Sequence, residues 1–172
     1  MKRIIPVLAL LCLLSSAHAQ NVFLTKNGKV SFYSRSTIEK VEADNNEVSS
    51  VINTETGDLV FAILLKSFHF DRALMEEHFN ENYVESDKFP KSTFKGKISN
   101  LQAVNFSKDG TYPATVTGEL MLHGVTQKVS TTGTISVKSG KPSAYAKFSI
   151  RLKDYNISIP ALVGDKLWKM RM

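Results

Sequence analysis

Long stretches of alternating apolar and polar residues constrain the fold of this chain more than any other feature of its sequence. The clearest stretch is 143–153, where every second side chain is apolar. Neighbouring residues of a strand point to opposite sides of a sheet, so this period of two predicts a strand with one buried and one solvated face. The inward residues predicted for it are Ala144, Ala146, Phe148, Ile150 and Leu152.

The same alternation recurs along the chain, with turn signals such as Ser139-Gly140 between the stretches. Further stretches of this kind lie at 94–98, 113–123, 125–137 and 168–172. Strands of ten or more residues exceed the usual length of about five or six. Long, twisted antiparallel strands tend to close on themselves, so we predict a mainly β fold, an extended antiparallel β-barrel of about eight strands.

Residues 59–68 break this pattern, because they are apolar on both faces. A strand of that kind needs cover on both sides. The cover we expect is one short inserted α-helix over 71–81, with Asp71 as its N-cap and an apolar stripe that begins at Leu74. Residues 82–90 are then a loop that returns to the sheet.

The first residues carry the pattern of a secretory signal peptide. Lys2 and Arg3 precede an apolar run at 4–14, and the small-x-small sequence Ala-His-Ala follows at 17–19. The apolar run is too short to cross a bilayer, which takes about 20 residues. We predict cleavage after residue 19, which leaves a single domain at 20–172 in the periplasm or outside the cell.

Composition excludes several classes of function. Cleavage would remove the one cysteine, Cys12, and with it any disulfide, thiol nucleophile or Cys-based metal cluster. The 22 basic residues outnumber the 16 acidic ones, but no basic block occurs, so we predict no nucleic-acid partner. The sequence also lacks a G-x-S-x-G elbow and a glycine-rich nucleotide loop. We therefore predict no enzyme activity and no cofactor.

Three histidines lie beyond the predicted signal peptide. His69 and His78 could hold a metal together with nearby glutamates, which keeps a metal-dependent enzyme as an alternative. Their spacing does not match HExxH, so we predict no metal site. His123 precedes Gly124 at a hairpin turn, where we expect it to bond to the backbone.

The turn around His123 resembles that of a known family. Residues 118–126, Gly-Glu-Leu-Met-Leu-His-Gly-Val-Thr, are similar to the G-D/E-L-T-L-H-G-V-T turn of the YceI-like family. The order of helix, Phe89-Pro90 and Phe94 is similar to its helix-and-loop segment, and 163–166 resembles its approach to the last strand. The resemblance covers residues 29–172.

The resemblance implies a lipocalin-like barrel that binds polyisoprenoid chains or similar amphiphiles. One departure lies at 151–157, where the family has R-x-D-F-G-I and this chain has an extra residue and Asn156 in place of glycine. Asparagine tolerates a left-handed backbone, so we expect this turn to form. The chain stops at Met172, so we expect a short final strand and poor closure on that side of the barrel.

We therefore predict an exported, non-enzymatic binding protein that carries or sequesters a polyisoprenoid or isoprenoid quinone-like lipid. The alternative is an envelope interaction or structural module with a filled core, because alternation does not distinguish a hollow barrel from a filled one. Transient membrane contact and a homodimer stay open. The residues predicted to contact the lipid are Phe32, Phe61, Ile63, Leu65, Phe94, Ile98, Val116, Leu120, Leu122, Val129, Ile135, Phe148, Ile150, Leu152 and Trp168.

Overall fold

The computed structural model describes residues 21–35, 40–158 and 167–171. The predicted signal peptide and the segment 163–166 lie outside the described residues, as does Met172. One helix, α1 (Ala73–His78), is present in the described part of the chain. The strands are β1 (Val22–Arg35), β2 (Lys40–Asn53), β3 (Asp58–Leu64), β4 (His69–Phe70), β5 (Lys91–Ile98), β6 (Gly110–Leu122), β7 (Val125–Lys138), β8 (Lys141–Arg151) and β9 (Leu167–Arg171).

All of these strands except β4 form one antiparallel barrel. Their order is β1-β9-β8-β7-β6-β5-β3-β2, and β2 pairs back with β1 to close it. The hairpin between β6 and β7 turns at His123 and Gly124, whose positive φ angles of 50° and 73° are those of the tight turns that join long twisted strands. The predicted fold class, an eight-stranded antiparallel barrel with one short helix, is confirmed.

The alternation predicted the faces of the strands well. On β6, Leu120 and Leu122 are buried as expected, and Ala114 is buried as well. Two residues predicted to point inward from strands lie instead in short 3₁₀ turns, Leu65 after β3 and Leu152 after β8. Both are still buried, because each turn folds its first side chain into the core.

The helix is shorter than predicted. It begins at Ala73, and Arg72 rather than Asp71 occupies the N-cap, without a side-chain hydrogen bond. After His78 the backbone widens into a π-helical turn, Phe79–Tyr83, which buries the ring of Phe79. The loop predicted over 82–90 therefore begins later than expected.

The helix does not cover the outer face of β3, so that prediction was wrong. Val60 and Leu64 on this face are exposed, and Leu74 of α1, expected to pack inward, is 55% exposed. β-branched and aromatic residues are enriched in strands, and single apolar residues are common on protein surfaces, so an apolar outer face does not require a covering layer.

Four phenylalanine rings close one end of the barrel. Phe32 of β1 contacts Phe68, Phe70 and Phe79, with ring centroids 5.2, 5.7 and 5.4 Å away. Phe79 also lies 5.5 Å from Phe68 and 5.1 Å from Phe70. We call these four residues the aromatic cluster. Because Phe32 pairs with Met170 of β9, the cluster marks the end of the barrel at which β9 lies.

Candidate ligand-binding cavity

A narrow apolar cavity lies inside the barrel, in the half away from the aromatic cluster. Inward side chains of β3, β5, β6, β7 and β8 line it, and Phe61, Phe94 and Phe148 form its aromatic wall. Its volume is about 40 Å³. This is room for a few water molecules, well below the several hundred Å³ of an ordinary small-molecule site. The interior is thus neither fully hollow nor fully filled.

Small inward residues explain why the interior is open in this half. Ala114, Gly133, Ala144 and Ala146 all line the cavity, at positions where larger side chains would fill a barrel of this size. Gly133 packs tightly against β8, since a Cβ on it would lie 3.0 Å from the Cβ of Ala146. The cavity therefore depends on these positions staying small.

Phe94 lies across a pair of glycines on neighbouring strands. Gly96 of β5 pairs with Gly118 of β6. A Cβ on Gly96 would lie 2.5 Å from Phe94 Cε1, and one on Gly118 would lie 2.7 Å from Phe94 Cζ. Phe94 is 3% exposed, and its ring centroid lies 6.1 Å from that of Phe61. The two glycines thus provide the flat surface that holds this ring in the cavity wall.

β9 joins β1 to β8 over part of the described length of these two strands. β9 pairs with residues 31–33 of β1 and with residues 147–151 of β8. Among the described strands, none pairs with 22–30 of β1 or 141–146 of β8 on that side. We call the gap between these two segments the slot.

A second, larger cavity of about 660 Å³ occupies the slot. Consecutive residues of β1 (27–29) and β8 (141–144) line it, so the edges of both strands face it. Alternate residues of β2, among them Val48 and Ile52, form its floor, so the inner face of the sheet lies at its base. Leu59, Phe61 and Ala144 line both cavities. The slot therefore leads into the barrel interior.

The rim of the slot combines apolar and basic side chains. Lys29 and Lys141 are the charged side chains among its described lining residues, and no carboxylate lines it. Leu24, on the same rim, is 67% exposed. The pairing of β1 with β2 is irregular on both sides of Gly28. Such a bulge redirects side chains, and here it brings 27–29 to the slot.

The residues predicted to contact a lipid are spread along the whole barrel, and the structure brings only some of them to the cavity. Phe61, Phe94, Val116, Ile135 and Phe148 line the interior cavity. The others that are described lie outside its lining: Phe32 in the aromatic cluster, Val129 half-buried, and Ile63, Leu65, Ile98, Leu120, Leu122, Ile150 and Leu152 buried in the core. Trp168 lies opposite Ile150 in β9, but its side chain is outside the described part.

Sequence reasoning missed two groups of lining residues. Leu59 and the small residues Ala114, Ala144 and Ala146 line the interior cavity; inward small residues on long strands were the available signal. The residues of β1 and β8 that line the slot were not among the predicted lipid contacts.

His123 joins three segments at the closed end of the barrel. Its Nδ1 donates to the Tyr155 carbonyl oxygen at 3.0 Å, and its Nε2 lies 2.7 Å from Glu85 Oε2. The Phe89 ring contacts its edge, with centroids 4.6 Å apart. We call these four residues the clasp. His123 therefore bonds to the backbone as expected, and it also bonds to a carboxylate.

Two polar features complete the closed end. Burial, and after it the charge of Asp154, raises the pKa of Tyr155 to about 12. Asn156 adopts a left-handed conformation (φ 58°) at the end of the 3₁₀ turn, as expected for a residue in the place of glycine.

His69 is exposed on β4 and His78 ends α1. In the described part of the chain, no three His, Cys, Asp or Glu side chains form a group suited to a metal ion.

Comparison with known proteins identifies the family. The model of the YceI-like domain matches residues 19–168. The chain belongs to the YceI-like family. A comparison with curated proteins finds no match. Within the described residues, this YceI-like protein has no helix that is both long and apolar enough to cross a membrane.

Solved structures share this fold at low sequence identity. A polyisoprenoid-binding domain from Saccharophagus degradans is similar with a TM-score of 0.72 and 15% identity, over 88% of this chain and 94% of that one. BcnA of Burkholderia cenocepacia has a TM-score of 0.67 and 16% identity, over 83% and 92% of the two chains. A Campylobacter jejuni YceI protein has a TM-score of 0.59 and 16% identity, over 80% and 85%.

Proposed function

We propose that this YceI-like protein binds one long-chain isoprenoid lipid, a polyisoprenoid or an isoprenoid quinone, and carries or sequesters it without chemical change. The observation that carries the proposal is the apolar cavity in the barrel interior. The fold shared with the polyisoprenoid-binding domain of Saccharophagus degradans supports the same class of ligand.

The size of the cavities indicates how a tail would be held. Each buried CH₂ contributes about 0.8 kcal/mol, while association costs about 4–15 kcal/mol. A tail of about 20 carbons or more is then needed for useful affinity. The interior cavity of about 40 Å³ is too small for it. Binding of such a tail therefore requires the inward side chains that line the cavity to move apart.

Native mass spectrometry of delipidated, refolded protein tests this proposal. Offered a polyprenol or a prenyl quinone, the wild-type chain should bind one lipid. Ala146→Phe should abolish binding, because it fills the interior cavity, whereas Ala73→Phe on the exposed surface of α1 should leave binding unchanged. A wild-type chain that stays empty with every lipid contradicts the proposal.

The alternative of an envelope interaction module is favoured by one observation, the aromatic cluster, which fills the closed end of the barrel. Such a module would stay empty in the same experiment and would tolerate Ala146→Phe without loss of function. Transient membrane contact is supported by the exposed Leu24 at the rim of the slot, and the homodimer stays a prediction.

We also propose that the chain is exported and that residues 1–19 are removed on the way. The basic and apolar pattern of 2–14 and the small residues at 17–19 support this. The intact mass of protein recovered from the periplasm or the medium should correspond to a chain that begins at Gln20. A recovered mass that includes residues 1–19 would contradict it.

A further inference from the structure

We propose that the outer face of β1, β2 and β3 docks on the surface of an anionic lipid bilayer. Apolar side chains of this face enter the head-group region, and lysines of the neighbouring β5 bind lipid phosphates. This face lies on the outside of the barrel, so its docking goes beyond the proposed function and does not depend on what the interior holds.

Apolar side chains on these three neighbouring strands form one continuous outer surface. Leu24 pairs with Val51, and Val51 pairs with Val60. Leu24 is 67% exposed and Val60 is 38% exposed, with Val51 half-buried between them. Leu64 lies four residues after Val60, on the same face of β3, and is 43% exposed. We call these four residues the outer patch.

Continuity separates the outer patch from the isolated apolar residues that are common on protein surfaces. Six large hydrophobic side chains are exposed in the described part of the chain, and three of them belong to the patch. A fourth, Val22, lies two residues before Leu24 on the same face of β1. The other two, Leu74 and Tyr145, lie on α1 and β8. A continuous apolar patch with polar surroundings marks a contact surface.

Lysines of β5 border the outer patch. Lys91 pairs with Leu64, and Lys95 pairs with Val60. Cross-strand partners point to the same side of a sheet, so each lysine side chain lies beside an apolar side chain of the patch. Both lysines are exposed, which places their charges at the edge of the apolar surface.

The sheet beside the patch carries a surplus of two positive charges. The outward charged residues in the rows that run from β3 across β5 and β6 to β7 are four lysines and two carboxylates: Lys91, Lys95, Lys97, Lys128, Asp58 and Glu119. Asp58 lies 3.9 Å from Lys97 and offsets its charge. Glu119 lies between Lys95 and Lys128 in its row, so two lysines share one carboxylate there.

This combination matches the surface of an anionic bilayer. Aliphatic side chains bind there by burial at the boundary of head groups and acyl chains, and lysines add attraction to anionic lipids. The core of a protein–protein interface is instead enriched in aromatic residues, Met and Arg and depleted in Lys. The four residues of the outer patch include no aromatic residue, Met or Arg. Its composition therefore favours a bilayer over a second copy of the chain or another protein.

Sedimentation of ligand-free protein with lipid vesicles tests the docking face. Vesicles of phosphatidylglycerol mixed with phosphatidylcholine should bind the wild type at low salt about tenfold or more tightly than vesicles of phosphatidylcholine alone. Val60→Thr with Leu64→Gln should weaken binding to the anionic vesicles about tenfold, because both changes remove exposed apolar area. Lys91→Gln with Lys95→Gln should weaken it about tenfold or more, and high salt should reduce this second loss.

Two control variants locate the effect. Leu74→Gln with Tyr145→Gln removes two exposed apolar side chains from other elements. Lys108→Gln with Lys138→Gln removes the same charge from exposed positions outside β1, β2, β3 and β5. Both controls should bind the anionic vesicles as tightly as the wild type. Equal losses in the controls, equal affinity of the wild type for both kinds of vesicle, or no vesicle binding at all would overturn the docking face.

Two further measurements separate this inference from its neighbours. A wild-type dimer in light scattering that Val60→Thr with Leu64→Gln makes monomeric, without vesicle binding, would assign the face to a second copy and overturn the bilayer. A chain that binds polyprenol but no vesicle overturns the docking face alone. A chain that binds vesicles but stays empty with every isoprenoid lipid contradicts the proposed function and leaves the docking face supported.

Discussion

Removing the imidazole of His123 should loosen the closed end of the barrel without unfolding it. His123 is only 11% exposed in its side chain and links the β6–β7 turn to Glu85 and to the Tyr155 carbonyl. The Tyr155 carbonyl accepts from Nδ1, and Nε2 lies within hydrogen-bond distance of the Glu85 carboxylate. His123→Asn is the suitable change, because asparagine also tolerates the positive φ of this turn.

The expected loss in the free energy of unfolding is the sum of the contributions of three contacts. The bond to the Tyr155 carbonyl contributes about 1 kcal/mol. The bond to Glu85 contributes about 0.5–1 kcal/mol, since that carboxylate is 42% exposed and screened by solvent. The edge contact with Phe89 adds about 0.5–1 kcal/mol. The free energy of unfolding should therefore fall by about 2–3 kcal/mol, which lowers Tm by roughly 5–10 °C in a chain of this size.

Urea and thermal unfolding of the variants measure this loss. His69→Asn is the matched control, because His69 is exposed on β4, and it should cost less than about 0.5 kcal/mol. A double-mutant cycle of His123→Asn with Glu85→Gln should give a coupling energy of about 0.5–1 kcal/mol. A loss for His123→Asn no greater than that of the His69 control would refute the reasoning.

Three further predictions concern the turn after β8 and the barrel wall. Asn156→Gly should leave the free energy of unfolding nearly unchanged, whereas Asn156→Val should lower it by about 1–2 kcal/mol, because a left-handed backbone is unfavourable for valine. Urea titrations that give the two variants the same stability would contradict this. Burial and Asp154 raise the pKa of Tyr155 to about 12, so its contribution to stability is complete below pH 10 and is lost between pH 10 and 12. An absorbance titration should show one of the five tyrosines ionising later than the rest, and Tyr155→Phe should remove that late step. Gly118→Ala should cost about 1–3 kcal/mol, since the added Cβ would collide with the Lys95 carbonyl and the Phe94 ring; unchanged stability would show that these strands can separate freely.

The alternation of residues predicted the fold class because one face of each strand is buried. On β6 and β7 the strand limits and the inward residues agree with the structure to within a few residues. The helix was harder to predict, because the π-helical turn that begins at Phe79 places the Phe79 ring in contact with Phe32 of the aromatic cluster. Local sequence does not encode that distant packing.

The position of the cavity could not be predicted in the same way. Every inward apolar residue was an equal candidate for contact with a lipid, and the lipid contacts of all of them stay predictions. In the structure, some of these residues line the interior cavity and others do not. Phe32 and the other rings of the aromatic cluster fill one end of the barrel, whereas the small side chains of Ala144 and Ala146 leave space in the other half. Which end stays open is decided by contacts between strands far apart in the chain.

The short described pairing between β1 and β9 has a mechanical consequence. β1 is paired with β2 along most of its length, whereas among the described residues 31–33 pair with β9. This pairing is the shortest between described barrel strands, so we expect β1 and β9 to separate by local fluctuation before the other strand pairs do. Amide protons between β1 and β9 should exchange with deuterium faster than those between β6 and β7. The barrel can therefore widen between β1 and β9 while the long β6–β7 hairpin stays paired.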